Sequence, residues 1–410
     1  MLISLAWRNL WRHRKRTWIT VAAVGLTTLM LVFMLSFQFG IYDTMKEQNL
    51  KLMDGYAQIQ QSDFLEQPNL EHSFVYSDQW SSVLDKVDSL SAYGFRAQTY
   101  VILSNNADTQ NRGALIMGVQ PDKEPQLSSL AKKIISGRYL QNSDDHKIVL
   151  GKQLAAQLRS KVGDQVQLLG EDRDGSLAID LYEIVGIADT HIPELNRQLA
   201  QITLSDFQIL FAMPNRAQQL VFMTAEIGQA ADLKPLVMPQ LQSLTDSDLR
   251  FRNWQALQPA LDQAIELDLS SAILWYAALL LIVILILLNT LYMSILERQN
   301  EFSLLNALGV QPIQISQILI LEIVFTTLLG LISGVLLGMA VTEYFIFQGI
   351  TLPGSEGVFA QFGLSDTLYP VLSLLSVGFA PAVFGFGLIL LCAMVLFKMR
   401  SLKPLTGRQL

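Results

Sequence analysis

The sequence predicts an integral membrane α-helical protein: four transmembrane helices, with a large α+β extracytoplasmic domain between the first and the second. Three observations predict this. The 410-residue chain is 51% hydrophobic and has a positive mean hydropathy, more apolar than a water-soluble core requires. Four separate runs reach the roughly 20 apolar residues that a hydrocarbon layer of about 30 Å demands. Between Ile41 and Ser270, in contrast, lie most of the Asp, Glu, Lys and Arg.

Residues 1–17 place Ile3, Trp7, Leu10 and Trp11 on one helical face and Arg8, Arg12 and Lys15 on another, as in a helix lying in the cytoplasmic interface. The same basic flank also serves simply as a topology signal. The first span, residues 18–40, is about twice the length of a signal-peptide core and lacks a small-residue cleavage site, so it is expected to be a retained anchor.

Residues 41–270 must fold on their own core, because the one cysteine, Cys392, lies in the fourth span and offers them no disulfide. Their pattern is mixed. β-like runs at 100–103, 114–119, 147–150, 181–187, 200–204 and 220–227 alternate with helical stretches at 79–89, 127–135, 152–159, 205–211 and 230–243.

Residues 271–293 form the second span, 315–346 the third and 369–397 the fourth. Between them lie a cytoplasmic loop, 294–314, and an extracytoplasmic loop, 347–368, and a tail of 398–410 follows. Orientation follows from the Lys and Arg beside the spans, which stay cytoplasmic. Arg8, Arg12, Arg14, Lys15 and Arg16 precede the first span, and Lys398, Arg400, Lys403 and Arg408 follow the last. Both termini are therefore expected in the cytoplasm and the large domain outside it. The net charge of −7 then belongs to the exterior, which argues against a nucleic-acid partner.

Several residues are candidates for function. The loop ERQNEFSLLNALGVQP predicts a short helix from Glu297 to about Leu308, stopped by Gly309, with Pro312 opening the next span. Phe302, Leu304, Leu305 and Leu308 would be apolar on the aqueous side, which suits either a groove on a second protein or the ends of this protein's own helices. Gly330, Gly334 and Gly338 recur every four residues and form a smooth strip for close helix approach, within one subunit or between two. Glu322 is costly in lipid and is a functional candidate on that ground, although it lies near the boundary, where water or a neighbouring helix can satisfy it.

Catalytic motifs are missing. No Gly-x4-Gly-Lys-Ser/Thr phosphate loop, GxSxG elbow or HExxH pair occurs, so any ATPase activity is expected in a partner and this chain itself is not expected to be an enzyme. Asp189, His191 and Glu194 in DTHIPE could touch a metal but suit a solvated loop better, and no metal site is predicted.

One span, a large outer domain and three more spans, with these motifs, resemble the permease subunits of type VII ABC transporters, the FtsX/MacB/LolC-LolE superfamily. LAWRNLWRHRKRT is similar to that family's amphipathic N-terminal helix, ERQNEFSLLNALGV to its coupling helix, and KMRSLKPLTGRQL to its closing segment. LIMGVQPD, IISGRYL, KIVLGKQLAAQLRSKVGDQVQLL and YEIVGI follow the pattern of its MacB-like periplasmic core. Asn306 stands where the family more often has a basic residue.

The resemblance implies a multi-pass protein of the bacterial inner membrane, with a second permease subunit and a dimer of cytoplasmic ABC ATPase subunits. ATP and Mg2+ would sit on the ATPase, and this chain would bind no cofactor. ATP-driven closure would push on the coupling residues Glu297, Arg298, Glu301, Phe302, Leu304, Leu305, Leu308 and Gly309, and the spans would pass the motion outward as mechanotransmission. Phe33, Met34, Phe37, Trp275, Tyr276 and Leu279 would line a lateral gate for acyl chains. Lipoprotein release is the implied task, with membrane lipid and a lipoprotein or other periplasmic protein as further partners. The alternatives are drug or peptide efflux, as in MacB, and non-transporting regulation of an extracytoplasmic enzyme, as in FtsX.

Overall fold

The computed structural model describes residues 2–12, 14–105, 108–245, 247–299, 301, 303–304, 309–351 and 367–401. It divides the chain into two compact units, Met1–Asp43 with Ile265–Leu352 and Thr367–Leu410, and Thr44–Ala264 with Pro353–Asp366.

The first unit is helical. Among the described residues, three helices are long and apolar enough to cross a membrane: Arg14–Asp54, Pro259–Glu297 and Ile313–Gln348. A further apolar helix runs Leu374–Ser401. The apolar run in the sequence opens earlier, at Tyr369, but Ser373 and Ser376 close a reciprocal cap there. Ser376 N–H donates to Ser373 Oγ at 3.1 Å, and Ser373 N–H to Ser376 Oγ at 3.0 Å. Tyr369 and Pro370 instead run beside Gly40, where an added Cβ would lie 2.0 Å from the Tyr369 carbonyl oxygen.

All four helices meet in one core made by Val24, Leu31, Val283, Leu287, Leu331 and Phe384, with Val32 and Ala380. The third long helix packs on the first through its glycines. A Cβ on Gly330 would lie 2.7 Å from Val24 Cβ, one on Gly334 2.5 Å from the Gly25 carbonyl oxygen, and one on Gly338 3.0 Å from Val32 Cβ. Gly334→Val is therefore expected to destabilise the protein by about 1–3 kcal/mol, since the atom it meets is backbone and cannot rotate away. The check is the thermal midpoint of the full chain in detergent; a midpoint equal to wild type would show that the two helices separate freely. The second long helix behaves differently: Leu274, Trp275, Leu281, Ile282 and Leu285 are exposed along it, a surface for lipid or another helix.

The second unit is α+β. Its ten-stranded sheet runs in the order Leu249–Asn253, Ala57–Gln61, Gln219–Thr224, Leu90–Asn105, Asp108–Val119, Leu199–Thr203, Lys147–Gly151, Leu177–Ala188, Ile134–Gly137, and Gln165–Glu171 pairs with both Leu90–Asn105 and Leu177–Ala188. Two of the pairings are parallel, Asp108–Val119 with Leu199–Thr203 and Lys147–Gly151 with Leu177–Ala188. The continuous apolar runs IVL and LVFM read as strands covered on both faces, and Ile148–Leu150 and Leu220–Phe222 are fully buried.

The stretch 127–135 is not the single helix its composition suggests. A helix Glu124–Leu127, a 3-10 turn Leu130–Lys133 and an edge strand from Ile134 replace it, because Ile134 pairs with Ala188 at the end of the sheet. Within this unit Arg96 and Glu124 form a buried bidentate pair, Nε to Oε2 at 3.0 Å and Nη2 to Oε1 at 2.6 Å, and Arg96 Nη1 also donates to the Met53 carbonyl oxygen. Both side chains are 1% exposed.

Candidate coupling site

The site is built at one end of the helical unit, where the helix Leu2–Arg12, the start of Arg14–Asn49, the end of Pro259–Glu297 and the start of Pro312–Gln348 come together. Ala6 and Leu10 turn the short helix inward, while the Trp7 ring meets Phe325 of the third long helix edge-on at 5.7 Å. This packing brings the basic flank of the first span beside acidic residues distant in sequence.

Arg16 reaches three oxygens: Glu297 Oε2 at 3.0 Å, Ser294 Oγ at 3.2 Å and Glu322 Oε1 at 3.7 Å. Arg298 joins Glu301 at 3.0 Å and Glu322 at 3.4 Å, and Arg12 reaches Glu301 at 3.1 Å. Three arginines thus alternate with three glutamates across the short helix Leu2–Arg12, the three long helices and the segment after the second. Glu322 and Arg298 are only 10% exposed at their side chains, where water screens poorly and each charge depends on its partner. The exposed Arg12–Glu301 contact contributes little by itself; the buried centre gives the network its order.

Beneath Arg16 lies a small cavity of about 30 Å3, lined by Thr17, Thr20, Thr290, Ser294, Glu322 and Thr326 among others. Thr20 Oγ1 and Thr290 Oγ1 approach to 3.4 Å across it. Its volume and polar walls suit about one bound water, so polar contact between the first and second long helices continues past the ion pairs.

Of the candidate coupling residues, Glu297, Arg298 and Glu301 belong to this network. Leu304 is exposed, and Gly309 has φ +89°, a left-handed conformation that favours glycine just before Pro312 restarts a helix. Phe302, Leu305 and Leu308 lie outside the described residues. Arg12 and Arg16 read in the sequence as topology signals; the clue to their pairing was that Arg16 just precedes the first apolar run while Glu297 just follows the second.

At the other end of the helical unit, Phe33 stacks on Phe37 at 6.3 Å and meets Phe345 at 5.6 Å. Met34, Trp275 and Leu279 are exposed. Tyr276 is held by a polar cluster that sequence reading missed: its hydroxyl donates to Gln38 Oε1 at 2.7 Å, and Asp268 Oδ2 accepts from Tyr42 at 2.6 Å and from Gln38 Nε2 at 3.0 Å. Of the six candidate gate residues, Phe33 and Phe37 are stacked rings, Phe33 also meeting the third long helix; Met34 on the first helix and Trp275 and Leu279 on the second are exposed; and Tyr276 is tied to Gln38.

In the α+β unit, Asp189 accepts from Lys152 Nζ at 2.8 Å, from Asn196 Nδ2 at 2.9 Å and from His191 N–H at 3.0 Å. Burial would raise its carboxyl, but these donors outweigh burial and hold it at about 2. The carboxylate orders its own loop, and among the described residues no group of three or more His, Cys, Asp or Glu is placed to hold a metal.

Residues 17–236, more than half of the chain, match the family described as the MacB-like periplasmic core domain, and residues 273–400 match the FtsX-like permease C-terminal family. The chain is a type VII ABC transporter permease. The permease is similar to the lipoprotein-releasing system transmembrane protein LolC of Neisseria meningitidis, 23% identical over 370 residues that cover 85% of this chain and 84% of LolC. It is also similar to an uncharacterized ABC transporter permease of Methanocaldococcus jannaschii, 21% identical over 83% of this chain and 84% of that one. Among solved structures, the periplasmic region of MacB from Actinobacillus actinomycetemcomitans aligns with 51% of the permease and 92% of its own length, at 15% identity and a TM-score of 0.37. The extracellular domain of YknZ from Gram-positive bacteria aligns with 48% of the permease and 98% of its own length, at 12% identity and a TM-score of 0.33.

Proposed function

We propose that this permease spans the inner membrane with four helices, both termini cytoplasmic and the α+β unit outside, and transmits ATP-driven motion of a separate ABC ATPase dimer to extracytoplasmic handling of lipidated cargo, lipoproteins foremost. The observation that carries the reading is the ion network at Arg12, Arg16, Glu297, Arg298, Glu301 and Glu322. A push on the segment after Glu297 would be felt by the third long helix through the buried Arg298–Glu322 pair, which resists separation, and by the first through Arg16, which reaches both Glu322 and Glu297 of the second. ATP and Mg2+ sit on the ATPase, and a second permease subunit, identical or homologous, completes the pair.

Cargo would enter from lipid beside Phe33, Met34, Phe37, Trp275, Tyr276 and Leu279, a position consistent with the exposed apolar face of the second long helix. Similarity to LolC over most of both chains favours lipoproteins over drugs or peptides.

The test is mild purification of the tagged permease from its native membrane, followed by mass spectrometry of what stays bound. A stoichiometric ATPase with acylated proteins is the expected result. An ATPase with an outer-membrane tunnel protein and no acylated protein would favour efflux, and an ATPase with an extracytoplasmic hydrolase alone would favour regulation. No ATPase in several detergents would overturn the coupling reading. Phe302→Asp with Leu305→Asp is expected to abolish ATPase capture while leaving membrane insertion intact, since a charge would enter an apolar groove; full capture by the double variant would move the docking site elsewhere.

A further inference from the structure

We propose that the cleft between the end of the helix Leu2–Arg12 and the first turn of the helix Arg14–Asn49 is a binding site for the phosphate headgroup of an anionic phospholipid. A cleft of about 460 Å3 opens there, lined by Trp11, Arg12, Arg14, Lys15, Arg16 and Glu297. Four cations face it against one carboxylate. Glu297 is already engaged by Arg16 at 3.0 Å, and Arg12 by Glu301 at 3.1 Å. Arg14 and Lys15 are exposed, and among the described residues neither has a carboxylate within ion-pair distance. Two unneutralised cations in one concave site create a local demand for an anion. The volume falls in the range of small-ligand sites, large enough for a glycerophosphate head with its acyl chains left outside.

The surroundings select a lipid over an acidic protein. Trp7, Trp11 and Trp18 form an edge-to-face series, 6.1 Å and 6.5 Å between successive ring centroids, and all three are exposed. Ile3 and Ile19 extend the same apolar exposure to either side. Indole rings beside guanidinium groups, at the point where an apolar helix begins, match the chemistry of the headgroup layer: rings at the acyl boundary, cations at the phosphates. An aqueous acidic surface would leave those rings unsatisfied. The inference goes beyond the coupling reading and requires only that the helix Arg14–Asn49 lies in lipid.

The test uses the purified full-length permease, with whatever subunits accompany it, equilibrated in detergent with equal amounts of phosphatidylglycerol and phosphatidylcholine and read by native mass spectrometry. Phosphatidylglycerol is expected to be retained over phosphatidylcholine on the order of tenfold. Arg14→Gln with Lys15→Gln should remove most of that preference. Arg8→Gln, which deletes a cation outside the cleft, and the charge-keeping pair Arg14→Lys with Lys15→Arg should each preserve it.

Equal retention of both lipids by the wild type, or an unchanged preference in the Arg14/Lys15 double glutamine variant, overturns the proposal. So does full displacement of phosphatidylglycerol by millimolar inorganic phosphate, which would mark a free-phosphate site. If the double glutamine variant keeps its lipid preference but no longer captures the ATPase, the occupant is protein and the lipid assignment fails. ATPase capture by the wild type is scored separately, so failure of the coupling reading and failure of this one are distinguishable.

Discussion

Glu124→Ala is expected to destabilise the α+β unit by about 3–5 kcal/mol, because it strands a guanidinium that is 1% exposed. Against a typical domain stability of about 5–15 kcal/mol, that loss removes much of the margin. Arg96 also donates to the Met53 carbonyl oxygen, in the π-helical turn Leu50–Asp54 that ends the first long helix, so the damage would reach the chain segment entering the sheet. The measurement is thermal unfolding of the full chain in detergent, followed by fluorescence of Trp80 and Trp254, both buried in this unit. A midpoint within about 2 °C of wild type would show that the pair is not structural, since even 1 kcal/mol moves a domain of this size by about 2–4 °C. Replacing both partners, Arg96→Met with Glu124→Leu, should recover most of the loss, because no buried charge is then left alone.

Arg16→Ala is expected to uncouple the transporter. It removes the side chain that joins Glu297 and Ser294 at the end of the second long helix to Glu322 in the third, and it takes from the buried Glu322 one of the two arginines brought to it, Arg298 being the other. In a reconstituted complex, cargo-stimulated ATP hydrolysis should fall at least tenfold, about 1.4 kcal/mol in barrier terms, while ATPase capture persists. Arg12→Ala, which breaks an exposed contact, should change the same rate by less than about threefold. Equal effects of the two variants, or loss of ATPase capture by Arg16→Ala, would show that the cluster is a docking surface and not a link between helices.

How far each element could be read in advance depended on what kind of solvent or neighbour it faces. The expected strands at 114–119 and 147–150 lie within Asp108–Val119 and Lys147–Gly151, and 200–204 matches Leu199–Thr203 except that Leu204 already begins a helix, because strands buried on both faces are written as continuous apolar runs. Ala57–Gln61 gave no such signal. Its Gln58 and Gln60 are 1% and 2% exposed yet polar, satisfied in part by each other through a 2.5 Å hydrogen bond. Leu249–Asn253, an edge strand spelled LRFRN, was hidden for the opposite reason: one side of its pairing is open and its arginines need not be buried. The site divides in the same way. Glu297, Arg298 and Glu301 stood out in the sequence as a charged stretch between apolar runs, but their pairing with arginine and glutamate partners did not, and Gln38, Tyr42 and Asp268 form one cluster with Tyr276 only because two helices bring them together across more than two hundred residues of chain.

The sequence by itself determined the apolar helices, the α+β unit between the first two of them and the membership of the permease family, because lipid imposes an apolar length and a charged, disulfide-free stretch of this length imposes a core, and both are local in composition. Only the tertiary structure decided that the glycine strip of the third helix receives Val24, Gly25, Thr28 and Val32 of the first, and that Arg12 and Arg16 answer Glu301, Glu297 and Glu322. Charge and small size are properties of single residues, but which partner satisfies them is set by how helices cross, and composition and spacing along the chain do not carry that information.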